Sequence, residues 1–219
     1  MQSKTYSDKP DLYFQHPRTD IVKLLPSFST NVLEIGCGTG ATLSWLKKTE
    51  KCATTYGVEL HAESCKQAIN NVDFLIEGNI ESDDFNLSAQ KFELVLFLDV
   101  LEHLVDPWTA IKKIIDENLA QGGVVVVSLP NIRFYAALLP LIFKGEFEYQ
   151  KTGVLDGTHL RFFTKKSAIE LVNSAGLTVK DILSNPIDFS KKQTVVNMLT
   201  LGMFRNFLTQ QYLIQCKKD

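Results

Sequence analysis

Cysteine is scarce in this chain and poorly placed for chemistry. Cys37, Cys52, Cys65 and Cys216 are the only four; none forms a C-x-x-C pair, and none has a histidine at ligand spacing. That argues against a disulfide framework and a structural zinc site, and no metal is expected. An excess of either charge is missing too. Lys+Arg 23 against Asp+Glu 25 gives −2, so no broad basic surface exists and no nucleic-acid partner is expected. Long apolar runs are absent. The longest, Phe134 to Phe143, contains Pro140 and is too short to span a bilayer. The opening M-Q-S-K-T-Y-S-D-K-P has no apolar signal core, so the expected compartment is the reducing cytoplasm. No internal repeat or low-complexity tract is visible. With 45% apolar and 22% charged residues in 219, the chain suits one domain over 1–219 with a full core.

What is present centres on N-V-L-E-I-G-C-G-T-G-A, residues 31–41. A short apolar strand (Val32, Leu33, Ile35) runs into Gly36, Gly38 and Gly40, and a helix pattern follows at once. Glycines there let the chain turn at positive φ and let a ligand approach bare backbone. The N–H groups opening the next helix then face that ligand.

Around this loop the pattern alternates. Residues 1–11 read as a loose tail and 18–25 as a short amphipathic helix stopped by Pro26. Strands are expected at 32–35, 54–59, 72–77 and 91–98, with helices over 42–50 and 62–70. The near-continuous apolar run F-E-L-V-L-F-L-D predicts a strand covered on both faces. Asp106-Pro107 caps a helix that carries Trp108, Ile111, Ile115 and Leu119 at helical spacing, Trp108 and Trp45 being assigned to the core. Gly122-Gly123 ends that helix, and V-V-V-V-S-L-P is a second central strand. Thr164 caps a further helix stopped by Gly176. A strand over 177–183, a helix over 194–204 and a final strand over 208–216 complete the chain. Regular strand–helix alternation implies a doubly wound parallel α/β sheet. Residues 130–160 break the rhythm: aromatic, glycine-containing and long, they are expected to form a lid over substrate or an interface between two copies.

The glycine loop alone is ambiguous. Gly36-x-Gly38-x-x-Ala41 satisfies the dinucleotide fingerprint, and Glu59 lies about 20 residues on, where a ribose would be held. An NAD-type oxidoreductase is therefore a real alternative. Three features favour another ligand. Glu34, just before the glycines, would repel a pyrophosphate and suits a cationic group. Asp99 ends the fourth strand with a second carboxylate. Gly78-Asn79-Ile80 offers an amide and an apolar side chain for an adenine edge and face.

With V-L-E-I-G-C-G-T-G (32–40), Y-G-V-E-L (56–60), G-N-I-E (78–81), F-L-D-V-L-E-H-L-x-D-P (97–107) and G-G-V-V-V-V-S-L-P-N (122–131) in order, the chain resembles the class I S-adenosylmethionine-dependent methyltransferases. T-H-L-R-F-F-T (158–164) resembles a branch that includes quinone-biosynthesis-type and surface-polysaccharide-associated enzymes. The resemblance implies a Rossmann-like seven-stranded sheet in order 3-2-1-4-5-7-6, last strand antiparallel. It implies S-adenosyl-L-methionine as cofactor and a small-molecule acceptor, either quinone-like, lipid-linked or a sugar. By position, Gly36, Cys37, Gly38 and Gly40 would bed the methionine part, and Glu34 would hold its amino group or a water. Glu59 and Leu60 would take the ribose, Asn79 and Ile80 the adenine, and Asp99 and Val100 would lie beside the adenine or the methyl donor. A non-catalytic module that only binds cofactor or a partner is the third reading.

Methyl transfer from a sulfonium needs positioning above all, and a base when the acceptor is a hydroxyl or a protonated amine. His103 and His159 are the candidates, with Tyr135 and Asp156 behind them. His103 has a packing or capping role as its plainer reading. His159 has that of a hinge tied to Asp156 or Arg161. Arg161 is expected to pair with a carboxylate, Arg18 or Tyr13 to reach the cofactor carboxylate, and Cys37 to be a small residue tolerated in the loop.

Overall fold

The computed structural model describes residues 16–185 and 191–218; the expected tail and Tyr13 lie outside them. Seven strands form one sheet: β1 (Ser29–Ile35), β2 (Cys52–Glu59), β3 (Phe74–Glu77), β4 (Phe92–Leu98), β5 (Leu119–Pro130), β6 (Leu177–Asn185) and β7 (Gln211–Lys218). Their spatial order is β3-β2-β1-β4-β5-β7-β6. All pairings are parallel except those of β7, which runs antiparallel to both β5 and β6. The expected order and the antiparallel last strand are both present.

Side-chain alternation along the central strands splits the core in two. Leu33, Ile35, Val95, Phe97, Val125 and Val127 point to one face. There they meet α3 (Pro107–Asn118) and α5 (Lys165–Ser174) through Ile111, Ile115, Leu171 and Val172. Val32, Leu94, Leu96, Val124 and Val126 point to the other face, against Leu43 and Leu46 of α1 (Ala41–Lys48) and Ala68 of α2 (Ala62–Ala68). Glu34 lies between Leu33 and Ile35, so alternation sends its carboxyl into this second face, where it is only 3% exposed. At β1 and β4 the strand order reverses, and the carboxyl ends of these two strands open the crevice where ligands of such sheets bind.

Several local expectations are corrected. The short helix expected over 18–25 is a 3₁₀ helix, Thr19–Leu24; its buried pair Ile21 and Leu24 is three apart, the spacing that eclipses in a 3₁₀ turn. Trp108 is 44% exposed, because the buried stripe of α3 runs through Ala110, Ile111, Ile114 and Ile115 and leaves the second helical residue facing out. Leu119 begins β5 instead of ending α3. The aromatic segment after β5 contains a helix, α4 (Tyr135–Lys144), ended by Gly145 at φ +70°. The helix expected over 194–204 is two, α6 (Lys191–Leu199) and α7 (Arg205–Leu208), with Gly202 at φ +83° between them. Leu208 therefore closes a helix, and β7 starts three residues later.

Candidate active site

The loop after β1 turns left-handed at each glycine: φ is +70° at Gly36, +55° at Gly38 and +75° at Gly40. The amides of Gly36, Cys37, Gly38 and Gly40 are bonded inside the protein. Gly36 and Cys37 both donate to the Val58 carbonyl (2.8 and 3.0 Å), Gly40 to the Cys37 carbonyl (2.9 Å), and Gly38 to Glu59 Oε2 (2.8 Å). A pyrophosphate cradle needs such N–H groups free, so this loop suits a ligand without phosphate. A side chain at Gly36 would come within 3.0 Å of Val100, and one at Gly40 within 2.8 Å of Val72.

Beneath the loop lies Glu34. The Thr42 side chain hydrogen-bonds its carboxyl, while Oε2 is buried with no hydrogen-bond partner among the described residues. Burial raises its pKa from 4.5 to about 8, against the pull of Arg18 and the Thr42 bond. An orphaned buried carboxyl oxygen is costly to leave unmatched, and a cationic, hydrogen-bonding group is its natural complement. Cys37 is 6% exposed, and burial pushes its thiol far up. Its sulfur packs on Gly57, where a Cβ would approach it to 2.6 Å. Cys37 is thus a packing residue under the loop.

Glu59, at the end of β2, accepts three backbone N–H bonds, from Gly38 on Oε2 and from Leu60 and His61 on Oε1 (2.9 and 2.8 Å). It latches the glycine loop to β2 and keeps one acceptor site, on Oε2, for a hydroxyl. Gly78 N donates to the Glu59 carbonyl (2.9 Å), which brings the loop after β3 alongside. Asn79 is exposed there, and its Oδ1 accepts from Glu81 N at 3.0 Å. Leu60 is 57% exposed, whereas Ile80 is 5% exposed and belongs to the core.

Asp99 adopts φ +57°, a conformation uncommon for a side-chain-bearing residue. The polar groups around it hold it there. Ser128 Oγ donates to Oδ1 (2.7 Å) and accepts from Asp99 N (3.0 Å), and Gln211 Nε2 and the Arg18 guanidinium also bond the carboxylate. Arg18 is shared with Asp20, at 3.0 Å from both Nε and NH2. Burial lowers its pKa, but Asp99 and Asp20 outweigh that and raise it overall. Arg18, expected to reach cofactor, is thus held by carboxylates of its own chain. Ser128 and Gln211 were not visible as site residues in the sequence; nothing but the sheet places β5 and β7 beside β4.

The 3₁₀ turn Leu101–His103 follows. His103 Nδ1 lies 3.0 Å from the Thr158 carbonyl and His159 Nδ1 lies 3.0 Å from the Val154 carbonyl. A carbonyl only accepts, so each ring carries Nδ1–H, and Nε2 is the basic nitrogen. The rings meet edge to face with centroids 4.8 Å apart. Glu102, 1% exposed, joins them, with Oε1 3.9 Å from His159 Nε2. The backbone binds the two segments, since the Glu102 carbonyl accepts from Leu160 N and Arg161 N (2.8 and 3.0 Å). Glu102 was not singled out in the sequence. Arg161 donates to the Val105 carbonyl through Nε (3.1 Å) and a terminal guanidinium nitrogen, and its charge adds to the Thr109 hydrogen bonds that hold the Asp106 carboxyl below its usual range. Asp156 is buried and accepts from Thr158 N and Oγ1 (2.9 and 2.6 Å), the geometry of a turn. Tyr135 opens α4, half-exposed against Phe134. A cleft of about 100 Å³ lies beside it, lined by Phe134, Ala137, Gln150, Val154 and Leu155 among others.

This sheet order, with a glycine turn and carboxylates at the switch point, defines a class I S-adenosylmethionine-dependent methyltransferase. The chain belongs to the family whose model is described as "Methyltransferase domain", which matches residues 7–182. It is 27% identical over 178 residues to a ubiquinone biosynthesis O-methyltransferase of Coxiella burnetii, covering 75% of this chain and 74% of that protein. A methyltransferase structure from Archaeoglobus fulgidus shares the fold at TM-score 0.66 and 18% identity, covering 99% and 97% of the two chains. The N-methyltransferase NodS of Bradyrhizobium japonicum, solved with S-adenosyl-L-homocysteine, does so at TM-score 0.59 and 18% identity, covering 96% and 89%. The cofactor is S-adenosyl-L-methionine; the relatives lend no support to an NAD-type oxidoreductase. Among the described residues no helix is long and apolar enough to cross a membrane.

Proposed function

We propose that the chain transfers the cofactor's methyl group to an oxygen of a small, largely apolar acceptor. The observation that carries this reading is the buried Glu34 with its unmatched oxygen beneath a glycine turn whose own amides are already bonded. Glu34 holds the amino end of the methionine part, Gly36 to Gly40 bed its chain, Glu59 and Leu60 take the ribose, Asn79 takes the adenine amino group, and Asp99 and Val100 close the side toward the acceptor. When bound, the cofactor supplies a methyl group already activated by positive charge. The acceptor's hydroxyl loses its proton to Nε2 of His103, which is half-exposed beside the Asp99 corner. The O–CH₃ bond forms as the S–CH₃ bond breaks, and the electron pair stays on sulfur. The similarity to the Coxiella ubiquinone biosynthesis O-methyltransferase supports an oxygen acceptor. The exposed Ile142, Phe143 and Tyr149 of the 130–160 segment support an apolar one, with that segment as its cover.

Calorimetry with S-adenosyl-L-homocysteine, followed by turnover on a panel of hydroxylated aromatic compounds, tests the proposal. We expect saturable binding and methyl ether formation. Absence of binding would refute it. His103→Ala is expected to reduce kcat by roughly 100-fold while cofactor affinity holds. Size-exclusion chromatography distinguishes a substrate cover from an interface between two copies through 130–160.

A further inference from the structure

The loop after β3 and the segment that closes 130–160 meet on one short bend, Val105 and Asp106, just ahead of α3. Glu81 takes the two backbone N–H groups of that bend, Val105 N on Oε2 (3.1 Å) and Asp106 N on Oε1 (2.7 Å). Arg161 takes its carbonyl, donating to Val105 O through Nε (3.1 Å) and a terminal guanidinium nitrogen. We propose that Glu81 and Arg161 are positioning residues for methyl transfer: they grip the bend from its N–H side and its carbonyl side, and so hold the adenine loop in register with the acceptor's cover. The inference rests on the methyltransferase reading of the site.

The side-chain cap of α3 uses neither residue. Asp106 makes it alone, accepting from Thr109 N and Oγ1 (3.1 and 2.7 Å). The bend also lies at the surface, Val105 being 57% exposed, where water satisfies backbone groups as well as a side chain does. Two charged side chains converging on it therefore call for another reason. Their chemistry fits a grip. A carboxylate gives each of two adjacent N–H donors its own oxygen, whereas a carboxamide in the same place turns an NH₂ group toward one of them. A guanidinium sends two N–H bonds to one oxygen in a fixed plane, whereas lysine offers a point charge on a flexible stem.

What the bend joins supplies that reason. On the cofactor side, Glu81 N donates to Asn79 Oδ1 (3.0 Å) and Ser82 N to the Asn79 carbonyl (3.0 Å). The carboxamide that takes the adenine amino group is thus oriented by the residue the bend holds, with one lone pair of Oδ1 left for that group. On the acceptor side, Leu160 N and Arg161 N both donate to the Glu102 carbonyl (2.8 and 3.0 Å), so backbone and guanidinium together fix the residues next to His159. Glu81 and Arg161 lie 24 and 56 residues from Val105 in sequence, yet one peptide connects them. In-line transfer makes such register matter, since a misplacement of about 1 Å far from the chemistry can cost on the order of 100-fold. Each of the two acts through a neighbour, Asn79 or His159.

Calorimetry on the whole chain tests this with two probes, S-adenosyl-L-homocysteine and S-inosyl-L-homocysteine, which carries an oxygen in place of the adenine amino group. Wild type should prefer the adenosyl probe by about tenfold or more, because the inosyl oxygen meets an Asn79 Oδ1 that Glu81 N keeps from turning away. Glu81→Gln should cut that preference to about threefold or less, weakening the adenosyl probe and leaving the inosyl one nearly unchanged. Arg161→Ala should cut it too, from the far side of the bend, and Arg161→Lys should fall between. The double variant should be no worse than the worse single one, since two grips on one bend act as a unit. A merely structural role would weaken both probes alike. Far-UV circular dichroism runs on the same samples, and the Arg161 variants keep the test open if Glu81→Gln fails to fold. Wild-type preference kept in folded Glu81→Gln or Arg161→Ala, or equal binding of the two probes by wild type, overturns the inference. Wild type that binds neither probe overturns the methyltransferase reading itself.

Discussion

Glu34 makes the most quantitative prediction. Its pKa rises from 4.5 unfolded to about 8 folded, through burial. A carboxyl with a raised folded pKa stabilises the fold relative to its ionised form only while it stays protonated. That stability is fully present below pH 4.5 and is lost as pH rises through 8. At about 1.4 kcal/mol per pH unit, the ligand-free protein loses roughly 3 kcal/mol by pH 7 and roughly 5 kcal/mol above pH 8 on account of this group. Urea unfolding from pH 5 to 9 reads the slope, and Glu34→Gln isolates it. The variant should lack this component and be more stable than wild type at pH 8 by about 1–3 kcal/mol, after allowance for one imperfectly paired amide group. A cation-bearing ligand that prefers the ionised carboxylate should also bind more tightly as pH rises. We expect S-adenosyl-L-homocysteine affinity to increase about tenfold per pH unit between pH 5.5 and 7, with the increase absent in Glu34→Gln. Equal pH slopes in wild type and variant would refute the assignment.

Gly57→Ala places a Cβ 2.6 Å from the Cys37 sulfur and should cost about 1–3 kcal/mol by overpacking; Cys37→Ala in the same chain should restore most of it in urea titrations. Gly40→Ala meets Val72 at 2.8 Å from a φ of +75°, so a loss of about 1–3 kcal/mol and weaker nucleoside binding are expected by melting and calorimetry. Asp99→Ala removes the partner of Arg18, Ser128 and Gln211; a loss of about 1–3 kcal/mol should accompany reduced cofactor affinity, and unchanged stability would show that Arg18 and Gln211 find other partners. Trp108→Ala, at a 44% exposed position, should change stability by less than about 1 kcal/mol.

The strand–helix alternation, the covered central strands and the positive φ of Gly36, Gly38 and Gly40 were legible because each is written in neighbouring residues: near-continuous apolar runs, an Asp-Pro cap, glycines where no other residue turns as readily. The carboxylates Glu34, Glu59 and Asp99 were legible as a set because each ends or nearly ends a strand of a parallel sheet. Other outcomes depend on partners far along the chain. Alternation alone makes Glu34 face one side of β1; its buried environment comes from α1 and from Arg18. Trp108 has the right spacing for the core and still looks outward, since the width of the buried stripe is decided by what packs on it. Ile80 is 5% exposed and packs in the core for the same reason. Ser128 and Gln211 join Asp99 only through sheet order. Glu102 and His103 meet His159 only because the chain returns from the 130–160 segment onto the carbonyl of Glu102. The sequence by itself determined the strand–helix order, the left-handed glycine turn after β1 and the acids at the strand ends, since charge pattern and backbone conformation there are local. Tertiary structure decided which acids are buried, which pairs are closed and which histidines share one corner, because those depend on distances between residues the chain does not hold together.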